Sequence, residues 1–307
     1  AVWLGVRAYV IWGMSPNYSI ETYLRIAGDW LDGYTPYAAF KLEYPPGALL
    51  LFALPRIFTA VPALYGYIFA FMMFMADLGI LLFFWRIPAL VRGTEVKADM
   101  AQRYESTLMC LTYILFTAVF GRLLFQNYDL IIGLLLAASV YFALRKKAVL
   151  VDLLVAVGIW LNLAALVWIP LLWWYGFVSR DDPIPSKRFL KISRFSRVML
   201  PRVAVLAGGL GVLFLPFILL SGRSLGHIVG FHLERGIQLE SMAASILMVG
   251  AKIFGFDLTT EFTDRAIHLS GELGSQGAAV SGILSIIVFV ILTLYLARTM
   301  TCLREAA

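Results

Sequence analysis

The sequence predicts an all-α, polytopic integral membrane protein: one bundle of about eight transmembrane helices, with amphipathic and re-entrant segments on its outer face. Three observations carry this reading. Of 307 residues, 61% are hydrophobic and only 14% charged, against about 45–50% and about 25% in a water-soluble domain. Mean hydropathy is +0.84. Uncharged runs long enough to span a bilayer recur along the chain, and they lack the period-two alternation of a β-barrel.

The chain opens inside an apolar run, so Ala1–Met14 is expected to be the end of a first spanning helix that lacks its start, with Arg7 an oddity within it. Ser15–Pro46 is polar and acid-rich, carrying Glu21, Asp29, Asp32 and Glu43 among Tyr18, Tyr23, Trp30, Tyr34, Tyr37 and Tyr44. From Ser19 to Leu31 the period is helical. Glu21, Arg25, Asp29 and Asp32 share one face, and Ile20, Tyr23, Leu24, Ala27, Trp30 and Leu31 the other. Such a helix is expected to lie flat in the headgroup layer with its acids facing water; read more plainly, it is a solvated segment with pairs such as Glu21–Arg25. Pro46–Phe58 is apolar, short and bounded by prolines, which reads as interfacial or re-entrant. Positions 15–62 thus form a first outer loop.

Ala63–Trp85 spans and carries Asp77, Arg86–Glu105 reads as a charged loop, and Ser106–Phe120 and Leu130–Leu144 span. Val149–Trp174 is too long for one helix at about 1.5 Å per residue and is expected to divide into two short spans near Asn162. Arg180–Arg202 is strongly basic and Val203–Leu220 spans. A second outer region at 221–276 is mixed, with a semi-apolar helix near Ala243–Phe254. Ala278–Leu296 spans, and a basic tail follows. Asp77 and Asn162 are expensive within a bilayer unless paired or lining a cavity; Asp77 is read as a structural partner for a neighbouring helix.

Loops assigned to the cytoplasm (86–105, 145–147, 180–202 and the tail) hold 16 of the 25 basic residues, as the positive-inside rule requires. The net charge of +6 therefore reflects topology and not nucleic-acid binding. Cys110 and Cys302 lack any metal or redox spacing, and the three histidines form no ligand pattern; no metal is expected.

This layout puts three polar patches on the extracytoplasmic side. The first is the acidic loop. The second is Gln126-Asn127-Tyr128-Asp129, at the mouth of a span, where Asp129 reads either as a site residue or as a helix cap. The third is FHLERGIQLES, with His232, Arg235, Gln238 and Glu240, where a cation beside a glycine suits a phosphate group and a solvated loop is the plainer alternative. Carboxylates suit general-base work on a hydroxyl, aromatic faces suit sugar rings, and a cation suits a departing phosphate.

At these residues the chain resembles the GT-C superfamily of glycosyltransferases, and most closely the polyprenol-phosphate-mannose-dependent α-mannosyltransferases (the DUF2029-type family). The resemblance rests on Tyr23, Asp32-Gly33, Pro36-Tyr37, Phe40, Glu43-Tyr44-Pro45-Pro46, Gln126, Asp129, His232, Arg235-Gly236, Gln238 and Glu240-Ser241. It implies a GT-C-like helical bundle in a prokaryotic plasma membrane, moving a mannosyl or other hexosyl group from a polyprenyl-phosphate donor to a lipid-linked or cell-envelope acceptor. Glu21, then Glu43 and Asp29, are the candidate bases. Arg235 and His232 would hold the donor phosphate, and Gln126, Asp129, Gln238, Glu240, Tyr37 and Tyr44 would contact substrate. No cofactor beyond the lipid-linked donor is implied. Two positions depart from the family: Ser19 stands where its catalytic Asp is usual, and Asn162 where a Lys is usual. The alternative is therefore a catalytically inactive homologue serving as a structural subunit of a membrane complex. A transporter fits less well, because the polar residues crowd one face instead of the midplane.

Overall fold

A computed structural model describes residues 2–12, 17–40, 42–92, 100–178, 192–234, 236–239, 241–263 and 266–306. The protein is 82% helical. Among the described residues, three helical stretches are long and apolar enough to cross a membrane: Pro62–Arg92, Val198–Phe231 and Gly271–Tyr295. Five shorter apolar helices accompany them. The chain divides into two compact units, Ala1–Leu225 and Gly226–Ala307.

The first unit runs α1 (Val2–Trp12), α2 (Tyr18–Leu31), α3 (Pro46–Phe58), α4 (Pro62–Arg92), α5 (Met100–Ala118), α6 (Leu123–Gln126), α7 (Asp129–Leu144), α8 (Ala148–Leu161), a 3-10 turn (Leu163–Val167), α9 (Trp168–Val178) and α10 (Ile192–Ser221). Helices α4, α7, α8 and α10 pack successively, with α5 on the far side of α4. Glycine sets the α4–α7 approach: a Cβ on Gly79 would lie 2.6 Å from Leu134, and one on Gly133 would lie 3.3 Å from Ile80.

Asn17 caps α2, its Oδ1 accepting from the Ile20 N–H at 3.0 Å, which satisfies one of the orphan donors of a first turn. The apolar stripe Ile20, Tyr23, Ile26 and Ala27 is buried, and it packs on α3 and α4. The expectation that this face would rest in the headgroup layer is thus corrected: protein covers it, while Leu31 is left exposed. Prolines 45 and 46 start α3, since proline suits the first helical position, and α3 buries Gly47, Ala48, Leu49, Phe52 and Ala53.

Two further expectations change, and one holds. The segment 86–105 is not a simple loop: α4 continues to Arg92 and α5 begins at Met100, with Arg92 donating to Glu105 at 2.8 Å. Arg202, expected in a solvated basic loop, is buried within α10 and paired with Asp152 of α8 at 2.8 Å. Trp173 also donates to Asp152, at 2.9 Å. The apolar run after Val149 does break at Asn162, which ends α8 and caps the 3-10 turn through the Ala164 N–H.

The second unit contains α11 (His227–Glu234), β1 (Ile237–Gln238), α12 (Met242–Phe254), β2 (Thr259–Thr263), β3 (Ala266–Ser270) and α13 (Gly271–Ala306). An antiparallel sheet ordered β1-β3-β2 departs from the all-α expectation. Its inner face contributes Ile237 and Leu269 to a small core with Ala244. Helix α12 lies where a semi-apolar helix was expected, capped by Ser241 and stopped by Gly255 in the left-handed region. Large apolar side chains of α13 are exposed from Val280 to Tyr295, within a stretch long and apolar enough to cross a membrane.

Candidate functional site

The densest polar and aromatic cluster forms where α2, α3, α4 and the entry to α7 converge. Tyr23 of α2 stacks on Phe52 of α3 at 4.1 Å and tilts against Phe69 of α4 at 5.3 Å. Tyr44, from the loop before α3, and Tyr128, just before α7, meet Tyr23 edge-on at 5.8 and 6.2 Å. They meet each other at 5.9 Å. Offset and edge-to-face contacts of this kind each add about 0.5–1.5 kcal/mol beyond burial.

Four polar groups border these rings. Glu43 stands beside Tyr44 in the loop before α3, and its charge helps raise the Tyr44 phenol. Tyr23 donates to Asn127 Oδ1 at 3.4 Å, and Asn162 Nδ2 donates to the Tyr128 oxygen at 3.4 Å. Asp129 follows Tyr128 directly and opens α7.

Burial pushes the Tyr23 phenol up and the charge of Asp129 pushes it further; neighbouring Tyr44 opposes this, and Glu43 adds the smallest contribution. Burial likewise raises Tyr128, followed by Tyr23, Asp129 and Glu43, and raises Tyr44. All three phenols therefore stay protonated donors at neutral pH. The Asp129 side chain still meets solvent but is closely surrounded by protein, and that burial holds its carboxyl above the usual range. Glu43 and Asp129, distant in sequence, are thus both near enough for their charge to raise Tyr23 and Tyr128. Among the described residues neither has an ion-pair partner.

The other predicted positions fall elsewhere. Glu21 is exposed in the first turn of α2. Asp29 pairs with Arg25 at 3.5 Å on the same outward face, so Arg25 turns to Asp29 and not to Glu21. Gln126 is buried and accepts from the Asn17 amide at 3.0 Å, tying α6 to the start of α2. Tyr37 is buried too, at φ 65, a backbone region few non-glycine residues adopt. Its hydroxyl donates to the Tyr44 carbonyl at 2.7 Å, so it braces the loop that carries Glu43. Tyr44, expected to contact substrate, is half-buried and packs edge-on against Tyr23, Phe52 and Tyr128, while Tyr23 and Tyr128 are themselves buried.

In the second unit Gln238 is half-buried, opposite His268 in the β1–β3 register. Arg235 and Glu240 lie outside the described residues, as does the side chain of His232. Sequence reading missed His268, which is buried with Nδ1 3.3 Å from the Gly236 carbonyl. It also missed Asn17 as a cap. Asn17 lacks the Glu at the third helical position that marks a capping box, and His268 stands in a strand too short to be recognised by alternation.

Chemically, the cluster presents two carboxylates with no ion-pair partner among the described residues, beside phenolic donors. That arrangement suits a hydroxyl-bearing ligand whose proton one carboxylate takes. Among the described residues no three His, Cys, Asp or Glu side chains group as metal ligands. Compared with protein-family models, with curated proteins and with solved structures, the chain matches none of them.

Proposed function

We propose that the protein is a membrane glycosyltransferase with a GT-C-like bundle, acting on a polyprenyl-phosphate hexose at the extracytoplasmic face of a prokaryotic plasma membrane. One observation supports this reading above the rest: Glu43 and Asp129 border the same tyrosine cluster, the charge of each raising Tyr23 and Tyr128, and neither has an ion-pair partner among the described residues. In the reaction, one carboxylate takes the proton of an acceptor hydroxyl as its oxygen bonds to the anomeric carbon. The bond from that carbon to the phosphate oxygen breaks with inversion, and polyprenyl phosphate leaves with the electron pair. Glu43 and Asp129 replace Glu21 as the favoured acids, because Glu21 lies on the outward face of α2. Arg235 and His232 enter as donor-phosphate ligands on the resemblance alone.

The test is turnover by the purified protein in lipid nanodiscs supplied with polyprenyl-phosphate mannose and a panel of lipid-linked and glycan acceptors. Release of polyprenyl phosphate that depends on Glu43 supports the reading. No release from mannosyl, glucosyl or arabinosyl donors defeats it.

A second reading, an inactive homologue within a membrane assembly, draws on Ser19 at the family's acid position and on tyrosine faces already occupied by other rings. Stable co-purification with other membrane proteins, together with absent turnover, would favour it.

A further inference from the structure

Arg56 of α3 stands four residues after Phe52, and residues four apart share a helix face, with about 5–6 Å between their Cβ atoms. Phe52 is the ring on which Tyr23 stacks at 4.1 Å, so Arg56 lies one helical turn from the tyrosine cluster. Its side chain is half-buried and turns toward α2. A Cβ built on Gly28 of α2 would lie 3.8 Å from Arg56 Nε and, beyond its own helix, would meet nothing else within 4 Å. With glycine there, no side chain at that position covers this edge of the guanidinium.

Among the described residues Arg56 has no hydrogen bond and no ion pair. Asp29, the acid beside Gly28, is taken by Arg25 at 3.5 Å, and Asp32, one turn further on, is exposed and does not reach Arg56. Arg56 also falls in the last turn of α3, where the helix dipole favours a cation. The dipole fills none of the N–H donors, whereas their planar fork matches two oxygens of a phosphate.

We propose that Arg56, against the bare edge of Gly28, holds the phosphate of the lipid-linked donor. The identity of that ligand rests on the transferase reading, which the proposal deepens: the anion would sit one turn of α3 from the cluster that Glu43 and Asp129 border. As the bond from the anomeric carbon to the phosphate oxygen breaks, the electron pair goes to the phosphate, and a guanidinium already in place stabilises the charge that develops there. Arg56 is a ligand to the leaving group in this account and takes no proton; that task stays with a carboxylate.

The experiment is equilibrium binding of radiolabelled polyprenyl phosphate to the full chain in phosphatidylcholine nanodiscs. The native chain is expected to bind it, and to bind the phosphate-free polyprenol about tenfold or more weakly. Arg56→Gln should lower the affinity about 10–100-fold, the loss expected for hydrogen bonds to a charged group. Arg56→Lys should recover part of it, since an ammonium keeps the charge without the fork. Gly28→Leu, which covers the guanidinium edge and leaves Arg56 in the chain, should weaken binding as well. The proposal fails if Arg56→Gln binds like the native chain, or if polyprenol binds as tightly as polyprenyl phosphate. It fails too if phosphatidylglycerol or inorganic phosphate displaces the ligand at equal concentration, since the site would then take any bilayer lipid or free anion. Binding needs no turnover, so the two readings separate: Arg56-dependent binding without transfer from any hexose donor would remove the transferase reading and leave the phosphate site.

Discussion

Arg7 of α1 and Asp77 of α4 form an ion pair at 3.1 Å in which neither side chain meets solvent, at 1% and 0% exposed. Trp3 also donates to Asp77, at 2.8 Å, and so does Tyr113, while Arg7 reaches Thr117 of α5. The carboxylate is thus satisfied by donors from two neighbouring helices, α1 and α5. Breaking such a pair leaves one uncompensated buried charge and costs about 3–5 kcal/mol, whereas replacing both partners by apolar side chains is often neutral or stabilising. Asp77→Asn and Arg7→Met are each expected to lower unfolding stability in detergent by about that amount. The double variant Arg7→Met with Asp77→Leu should recover most of it. Thermal unfolding of the four proteins measures the coupling; additive losses in the double variant would contradict the pairing.

Gly47 of α3 faces Trp160 of α8 so closely that an added Cβ would lie 2.6 Å from the indole and 2.7 Å from the Trp160 carbonyl. The carbonyl belongs to a helix backbone and cannot swing aside. Gly47→Ala is expected to destabilise by about 1–3 kcal/mol through overpacking. Gly211→Ala, where a Cβ would meet nothing within 4 Å, should instead be neutral or slightly stabilising, since alanine favours the helix by about 1 kcal/mol over glycine. Denaturant midpoints of the two variants should therefore move apart.

Much of this was legible from residue patterns, for identifiable reasons. The face of α2 follows from a 3.6 period, and the break at Asn162 follows from an apolar run too long for one helix. Asp77 announces itself as a lone charge in an apolar run, and Arg7 does the same on α1, so each calls for a partner. Arg202 does not, because it stands at the end of a basic segment where one more cation reads as solvated. Glu43 and Asp129 were legible as acids on polar patches. Their placement at one cluster was not, since it depends on Tyr23 of α2, Tyr44 of the loop before α3 and Tyr128 at the entry to α7 packing together. The sheet of the second unit was hidden for a different reason: its longest strands have five residues, too few for alternation to stand out.

Asp129 gives a pH dependence with a definite sign. Burial raises its native carboxyl above the usual range, so the native state holds this proton more tightly than the unfolded chain, where the value is about 3.9. Between those two values the native protein binds more protons, and stability falls as pH rises through the window. The contribution is fully present below about pH 4 and lost above the native value. Asp129→Asn removes the burden of a charged group there. It should be more stable than the native protein at neutral pH, with the difference closing as pH approaches about 4. Solvent contact at Asp129 screens the effect and keeps the gain small. Unfolding midpoints at pH 4 and pH 7 check both sign and closure.

The acids themselves supply the activity prediction. Glu43 adjoins Tyr44, whose ring packs on Tyr23 and Phe52, and the loop behind it is braced by the Tyr37 hydroxyl and by Ser221 of α10, which donates to the Pro36 carbonyl at 2.8 Å. A base held this way keeps its orientation through the reaction. Glu21 has no such support, since it projects from the exposed face of α2. Removing a positioned general base lowers turnover by about 10²–10⁴-fold. Glu43→Gln or Asp129→Asn is expected to reach that range in a polyprenyl-phosphate hexose transfer assay, mainly in kcat. Glu21→Gln should leave both kcat and KM unchanged. Tyr37→Phe, which loosens the loop without touching the carboxylate, should fall between them, with about 1 kcal/mol lost from the missing hydrogen bond. If Glu21→Gln alone abolishes transfer while Glu43→Gln remains active, the outward face of α2 is the working surface and the tyrosine cluster is packing.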